Sequence, residues 1–216
     1  MKSFCVIGLG KFGTSLATHL AKAGHQVMII DTDSDKVTAL ADIVTHPVIG
    51  DATNESVLKA SGIENYDCAI VSFSKNINEN VLLTIMLKEL GVKKIISRYD
   101  NDGHKKVLEH IGVDMVTCPE NDMGEKLAFM LARDNVTEFI EFSGYKMVEM
   151  RVPEEWIGKS IIDLNVRRKF GINIIAVSEE GKKADVFPAP TKVFCEGEKM
   201  SIIGSDKQIE KLMKLK

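Results

Sequence analysis

The stretch "CVIGLGKFGTSLATHLAKAGHQVMIID", residues 5–31, decides how the rest of the chain reads. An apolar run enters a turn in which Gly8, Gly10 and Gly13 form G-x-G-x-x-G, and an amphipathic segment follows. Strand, glycine turn and helix are the context the dinucleotide-binding pattern requires. Gly8 permits the tight turn, Gly10 lets the backbone approach a diphosphate, and Gly13 lets the helix pack on the sheet. The helix start offers unpaired N–H groups and the positive end of its dipole to phosphate. Asp31 ends the second apolar run, where a carboxylate accepts hydrogen bonds from ribose hydroxyls and repels a 2′-phosphate.

The same unit repeats outward. Strand-like runs occupy 4–8, 26–31, 43–50, 68–73, 94–98 and 114–118, with helical segments near 11–23, 34–41, 54–60, 77–90 and 102–111. Apolar runs without polar alternation, separated by helices, predict a parallel sheet covered on both faces. The fold class is therefore α/β, a Rossmann-type doubly wound parallel sheet. A further helix is expected at 120–133, with Pro119 stopping the strand before it and Met123, Leu127, Phe129, Met130 and Leu131 giving it a broad apolar surface. The pattern then changes. "TEFIEF" (137–142) and "KMVEMRV" (146–152) alternate in period two, as half-buried antiparallel strands do. A helix over 160–170, strands at 172–178 and 199–205, and a capped helix over 205–215 complete a small α+β lobe. The expected domains are 1–136 and 137–216.

Composition narrows the function classes. The 216 residues are 44% hydrophobic and 27% charged with a net charge of -3, so no basic field points to nucleic acid or anionic lipid. No run reaches the ~18 apolar residues of a membrane span, and the N-terminus passes straight into a strand pattern, so neither membrane insertion nor a signal peptide is expected. The four cysteines, Cys5, Cys68, Cys118 and Cys195, have neither C-x-x-C nor zinc spacing. Cys5 and Cys68 read as buried thiols, which suggests a reducing compartment.

Strand ends carry the remaining polar candidates. "GDAT" (50–53) puts Asp51 and Ala52 at the adenine end of a ligand; equally, Thr53 or Asn54 caps the next helix and Asp51 ties down the turn. Ser72, Phe73, Ser74, Lys75 and Arg98 also sit at strand ends, and Arg98 suits either bidentate phosphate binding or a solvated surface. All five histidines fall in the first lobe, with His19, His25, His104 and His110 on expected helices or their ends, where surface imidazoles are the rule. The second lobe has none and offers no nucleophile–base pair, and G-x-x-x-x-G-K-[ST] is missing. The chain reads as a sensor rather than an enzyme.

Four segments carry a resemblance over essentially the whole chain: "VIGLGKFGTSLATHLAKAGHQVMIID", "GDATNESVLKASGIENYDCAIVS", "KVLEHIGVDMVTCPENDMGEKLA" and "GKSIIDLNVRRKFGINIIAV". Together they resemble the Ktr/Trk potassium-uptake regulators of the KtrA/KtrC type, RCK (or KTN) proteins with a TrkA-N lobe and a TrkA-C lobe. The resemblance implies a cytoplasmic regulatory subunit, a homodimer assembling into an octameric ring on a membrane-embedded potassium channel or transporter subunit. It implies that ATP and ADP compete for the first lobe, with a divalent or sodium cation at the nucleotide interface. Lys11 stands where relatives have arginine facing a γ-phosphate across subunits. Glu120 matches a glutamate that helps hold the metal ion, while by position it also suits a first-turn acid on a helix dipole. The helix at 120–133 matches a crossover helix, and 77–90 suits either subunit packing or burial on the sheet.

The full nucleotide-binding set expected is Gly8, Gly10, Lys11, Phe12 and Gly13 in the loop; Asp31, Thr32, Asp33 and Lys36 after the second strand; Asp51, Ala52 and Thr53 after the third; and Ser72, Phe73, Ser74, Asn76, Arg98 and Glu120 beyond. In the second lobe "LNVRRKFGINI" (164–174) resembles a cyclic di-AMP site formed at a dimer interface. The expected contacts are Ile161, Asn165, Arg167, Ile172, Asn173, Ile174 and Pro190, with a plain dimer interface as the alternative. Two other readings stand beside these: a regulator tuned to NAD(H), and a small NAD-dependent oxidoreductase.

Overall fold

In the computed structural model, which describes residues 1–215, the apolar runs become the strands of a parallel sheet with both faces covered. β1 (Ser3–Ile7), β2 (Gln26–Asp31), β3 (His46–Ile49), β4 (Cys68–Val71), β5 (Ile95–Arg98) and β6 (Met115–Thr117) lie in the order β3-β2-β1-β4-β5-β6. Every pairing is parallel. The period-two pleat divides the central residues between two layers. Cys5, Ile7, Met28, Ile30, Ala69 and Val71 pack on one face, and Val6, Val27, Ile29, Cys68 and Ile70 on the other. Helices α1 (Lys11–Lys22), α2 (Ser34–Leu40), α3 (Glu55–Ser61), α4 (Ile77–Glu89) and α5 (Asp102–Ile111) make the crossovers. Ala17, Val37 and Leu40 cover the second face; Leu58, Leu83 and Leu87 cover the first. α4 also carries apolar residues away from the sheet, where Leu82 and Ile85 are exposed.

Side chains close the starts of four of these helices. Asp33, Asn54, Asn76 and Asn101 accept hydrogen bonds from first-turn N–H groups of α2, α3, α4 and α5. α1 begins at Gly10 with no side-chain cap and no acid in its first turn.

One expectation about this unit fails. His104 is not a surface imidazole: it is 1% exposed, and neither ring nitrogen has a hydrogen-bond partner among the described residues. Its place three residues after the Asn101 cap turns it toward the sheet, a direction that sequence position alone does not reveal. Burial pushes its pKa below the ordinary value, with the Asp100 charge pulling weakly the other way. The folded pKa is thus below the unfolded one, so the neutral ring's contribution is complete above the unfolded pKa of about 6.5 and is lost as the pH falls through the folded value. Urea midpoints should fall between pH 7 and pH 5, and His104→Leu should flatten that decline. An equally steep decline in the variant would assign it to other groups.

The chain divides into two units, Met1–Pro119 and Glu120–Lys216. α6 (Pro119–Leu131) therefore falls almost wholly in the second, whereas the sequence reading grouped it with the first domain. The reason is packing: Phe129 and Met130 lie against the second core, and Phe129 stacks on Phe139 with ring centroids 4.3 Å apart. The Arg133 guanidinium lies over the Phe129 ring at 4.0 Å from its centroid, and Lys126 pairs with Glu138. Pro119 is the first helical residue rather than a spacer, a position its fixed φ favours. Met123, Leu127 and Leu131 remain exposed.

The second unit is an antiparallel sheet, β10-β9-β11-β8-β7. Its strands are β7 (Val136–Phe142), β8 (Tyr145–Arg151), β9 (Asn173–Ser178), β10 (Asp185–Val186) and β11 (Lys199–Gly204). β7 and β8 join through Ser143 and Gly144, both at positive φ, as a two-residue hairpin of this hand requires. Trp156 meets the rings of Phe170 and Phe194 in a core that also holds Val148, Met150 and Met200. α9 (Asp206–Leu212) starts with a capping box between Ser205 and Gln208. The single helix expected over 160–170 is instead two, α7 (Ile161–Leu164) and α8 (Val166–Phe170). Asn165 between them adopts φ 48, ψ 45, a left-handed conformation asparagine tolerates and a continuous helix cannot contain. The short β10 was not anticipated, since two residues carry no periodicity.

Candidate nucleotide-binding site

The C-terminal ends of β1, β2, β3 and β4 enclose a cavity of about 290 Å³. The glycine loop, Asp31 and Thr32, Lys36, Gly50 to Thr53, Phe73 and Glu79 line it. The loop is held by its neighbours rather than by itself. The Gly8 N–H donates to Ile30 O at 2.9 Å, and its carbonyl accepts from the buried Ser72 hydroxyl. Gly8 has φ +91, which favours glycine, and a Cβ there would come within 3.1 Å of the Phe73 ring. A Cβ on Gly13 would overlap the Gly8 carbonyl oxygen and lie 2.5 Å from Ser72 Oγ. A Cβ on Gly10 would meet no heavy atom within 4 Å. Gly10 thus borders open space, whereas Gly13 serves the packing of α1 on the sheet.

Asp31 has two tasks. One carboxylate oxygen accepts from Leu9 N at 2.5 Å and the other from Asp33 N at 2.9 Å, tying the loop to the end of β2. Each oxygen retains further acceptor capacity, and Asp31 lines the cavity. Asp33 caps α2 and pairs with Lys36 at 3.1 Å, and that hydrogen bond holds the Asp33 carboxyl below its usual range. Lys36 lines the cavity and Asp33 does not. Of the alternatives for "GDAT", Asn54 is the cap of α3, and Asp51 ties the turn by accepting from Thr53 N and Oγ1 at 2.8 and 2.7 Å. Those two bonds lower the Asp51 pKa. Asp51, Ala52 and Thr53 still face the cavity, so both readings hold at once.

A second cavity of about 400 Å³ adjoins the first and shares Gly10, Phe73 and Glu79 with it. Ser72, Ser74, Lys75, Asn76, Arg98 and Asp100 complete its wall. Asn80, fully buried, positions this wall. Its amide donates to Phe73 O at 2.6 Å and Arg98 O at 3.2 Å, and its oxygen accepts from the Ser97 hydroxyl at 2.9 Å. One side chain thereby fixes the ends of β4 and β5. Neither Asn80 nor Glu79 was singled out from the sequence; a polar residue within an otherwise apolar helical stretch was the available signal for Asn80.

Lys11 is exposed and Phe12 half-buried at the start of α1, and neither lines a cavity. Glu120 is an exposed first-turn acid of α6, within the second unit. Among the described residues no three His, Cys, Asp or Glu side chains gather to hold a metal, so a cation in the cleft would draw most of its ligands from a nucleotide's phosphates. Cys5 and Cys68 are buried in the sheet, and burial raises both thiol pKa values, that of Cys68 to about 11. Neither serves as a thiolate.

In the second unit Arg167 Nε donates to Asn173 Oδ1 at 2.8 Å on an exposed surface. Pro190 is exposed, and its carbonyl accepts from Ile162 N at 2.8 Å. Ile161 and Ile174 are half-buried against the core. Ile172 is fully buried and offers no wall to a ligand, because the residue preceding β9 points inward beneath Gly204.

Comparison with known proteins bears on both units. The TrkA-N domain model matches residues 4–119 and the TrkA-C domain model residues 147–216. The chain is 42% identical to the Ktr system potassium uptake protein C of Bacillus subtilis, over 99% of this chain and 96% of that one. This chain belongs to the family of Ktr and Trk potassium uptake proteins. Within the family it is 41% identical to the Bacillus subtilis Ktr system potassium uptake protein A over 97% of its length and 95% of the relative. The fold is shared with the GsuK channel at a TM-score of 0.69 and 20% identity, over 99% of this chain and 39% of that one. The Ktr and Trk relatives are uptake proteins by name, and the GsuK likeness establishes the fold alone. Among the described residues no helix is long and apolar enough to cross a membrane.

Proposed function

We propose that this chain is the nucleotide-gated regulatory subunit of a Ktr-type potassium uptake system. Identity of 42% and 41% to two Ktr proteins over nearly the full length carries the reading. The cleft supports it: α1 presents an uncapped N-terminus beside Gly10, and Asp31 lines the cavity at the end of β2, where a carboxylate suits a ribose. The ligands are ATP and ADP, with a divalent or sodium cation at the phosphates and Glu120 among the groups that hold it. The chain acts in the cytoplasm as a homodimer within an octameric ring and binds a membrane-embedded potassium channel or transporter. It is a switch rather than an enzyme: ATP and ADP shift its conformational balance by the difference in their affinities for two states. In the second unit the Arg167–Asn173 pair and Pro190 supply polar and apolar contacts for cyclic di-AMP.

Lys11 is assigned to the γ-phosphate. Lys11→Ala should lower ATP affinity by roughly tenfold, the scale of one charge-assisted contact, while ADP affinity changes by less than about twofold. Equal losses for the two nucleotides would remove Lys11 from that role.

A second reading, an NAD(H)-responsive regulator, is favoured by the 400 Å³ cavity, which gives a second nucleoside room beyond Gly10 and Phe73. Calorimetry with ATP, ADP, NAD, NADH and cyclic di-AMP, with and without Mg²⁺, separates the two. ATP and ADP binding that NADH cannot displace supports the first reading, and displacement by NADH supports the second. Hydride transfer with any metabolite would contradict both.

A further inference from the structure

His104, in the first turn of α5, is buried, and neither ring nitrogen has a hydrogen-bond partner among the described residues. α4 lies against α5, and it too buries a polar group without a partner, the hydroxyl of Thr84. A buried polar atom with no partner costs free energy, so a helix pair that keeps one on each member calls for a reason. Both helices also hold the wall of the second cavity. Asn80, one turn before Thr84 on α4, fixes the carbonyls of Phe73 and Arg98. At α5 the Asn101 side chain accepts from His104 N at 3.0 Å, and Asp100, next to that cap, lines the cavity. The backbone of the buried histidine is thus tied by one hydrogen bond to the segment that ends in the wall.

The surroundings keep this ring neutral. Burial disfavours an imidazolium, and so does the positive end of the α5 dipole. Asp100 is the charge that acts on the ring, and it acts weakly in the other direction. The other charged groups on the packed elements are engaged or turned elsewhere. Lys88 of α4 donates to Ile111 O and Gly112 O at the far end of α5, and Asp114, ahead of β6, accepts from Ile95 N. Glu79 and Glu89 of α4 are exposed, and Arg98 at the end of β5 lines the cavity. On α5 itself Lys105 lies over the Tyr99 ring, and the remaining charged residues are exposed. With no anion paired to it, the ring takes up a proton only by leaving its place for water.

We propose that His104 is a proton-operated latch on the wall of the nucleotide cleft. While the ring is neutral it stays buried and α5 keeps its place against α4. Once protonated it leaves, and the start of α5 takes the Asn101 cap and Asp100 with it, opening the wall. Proton and nucleotide then favour opposite states of one element, and each weakens the other by the same factor. The inference rests on the nucleotide reading above and adds to it a second input, the acidity of the surrounding solution. In the open state the ring has the ordinary histidine pKa of about 6.5. Protons therefore leave the closed fraction unchanged well above that value and lower it by at most about tenfold at pH 5.5.

The test is calorimetric titration of the full-length protein with ADP at pH 7.5, 6.5 and 5.5, at constant Mg²⁺, in two buffers of different ionisation enthalpy at each pH. The native protein is compared with His104→Leu, which fills the site without a charge, and with His104→Gln, which keeps a neutral polar group there. Protonation of ADP itself is common to all three and cancels in the comparison. From pH 7.5 to 5.5 the native protein should lose roughly three- to tenfold more affinity than either variant. Near pH 6 its binding heat should differ between buffers in the sense of proton release, by more than in the variants. Urea midpoints at each pH confirm that the folded protein is being titrated. An equal pH dependence in native protein and variants overturns the latch and leaves the nucleotide reading standing. If neither variant folds, the native protein alone decides: binding near pH 6 without proton release overturns the latch. Failure of ADP to bind the native protein at any pH overturns both.

Discussion

Gly13→Ala and Gly13→Val are expected to cost the first unit about 1–3 kcal/mol or more of stability and with it all nucleotide binding. The added Cβ overlaps the Gly8 carbonyl oxygen and approaches Ser72 Oγ, so α1 must move off the sheet or the loop must open. Neither movement is cheap, since Gly8 is held by Ile30 on one side and Ser72 on the other. Gly10→Ala is the informative companion. Its backbone, at φ -69 and ψ -178, suits any residue, and its Cβ meets nothing in the protein. That variant should unfold in urea at nearly the native midpoint yet bind ATP far more weakly, because the methyl group occupies the space left for phosphate. A Gly13→Ala protein of native stability, or a Gly10→Ala protein of native affinity, would contradict this division of labour within the motif.

Asp31→Ala is the second large effect. The substitution removes the acceptors proposed for ribose and also unties Leu9 N and Asp33 N. Hydrogen bonds to a charged partner contribute about 1.5–3 kcal/mol each. Loss of even one such ribose contact lowers affinity for ATP, ADP or NAD by roughly 10–100-fold, with a stability loss of about 1–3 kcal/mol from the loop bonds. The two losses are read separately, by calorimetry and by urea unfolding. The variant should also narrow the discrimination between NAD and NADP, since a 2′-phosphate no longer meets a carboxylate. Unaltered affinity for all adenine nucleotides would place the ribose elsewhere.

Much of this was legible because the chemistry is local. Short apolar runs at 26–31 and 68–73, separated by helical segments, read as strands covered on both faces, and the glycine spacing located the loop. What escaped depends on partners distant in sequence. Asn80 is an unremarkable polar position until the ends of β4 and β5 converge on its amide. His104 looks like a surface residue until α5 docks and turns it inward. The break at Asn165 turns on a single left-handed residue within a pattern that otherwise suits a helix. Ile172 matches its motif perfectly well as letters, but its direction is set by the core it fills. Periodicity registers faces and lengths; it does not register which distant groups meet.

The strand order has a consequence for the timing of synthesis. β1 lies at the middle of the sheet, with β2 and β3 on one side and β4, β5 and β6 on the other. The first half of the sheet, glycine motif included, leaves the ribosome before β4 exists. Yet the hydroxyl that secures Gly8 belongs to Ser72, and the ring that closes the cleft belongs to Phe73. A nascent chain therefore carries a complete glycine motif before it has a complete cleft, and the cleft closes only once the fourth strand has been made.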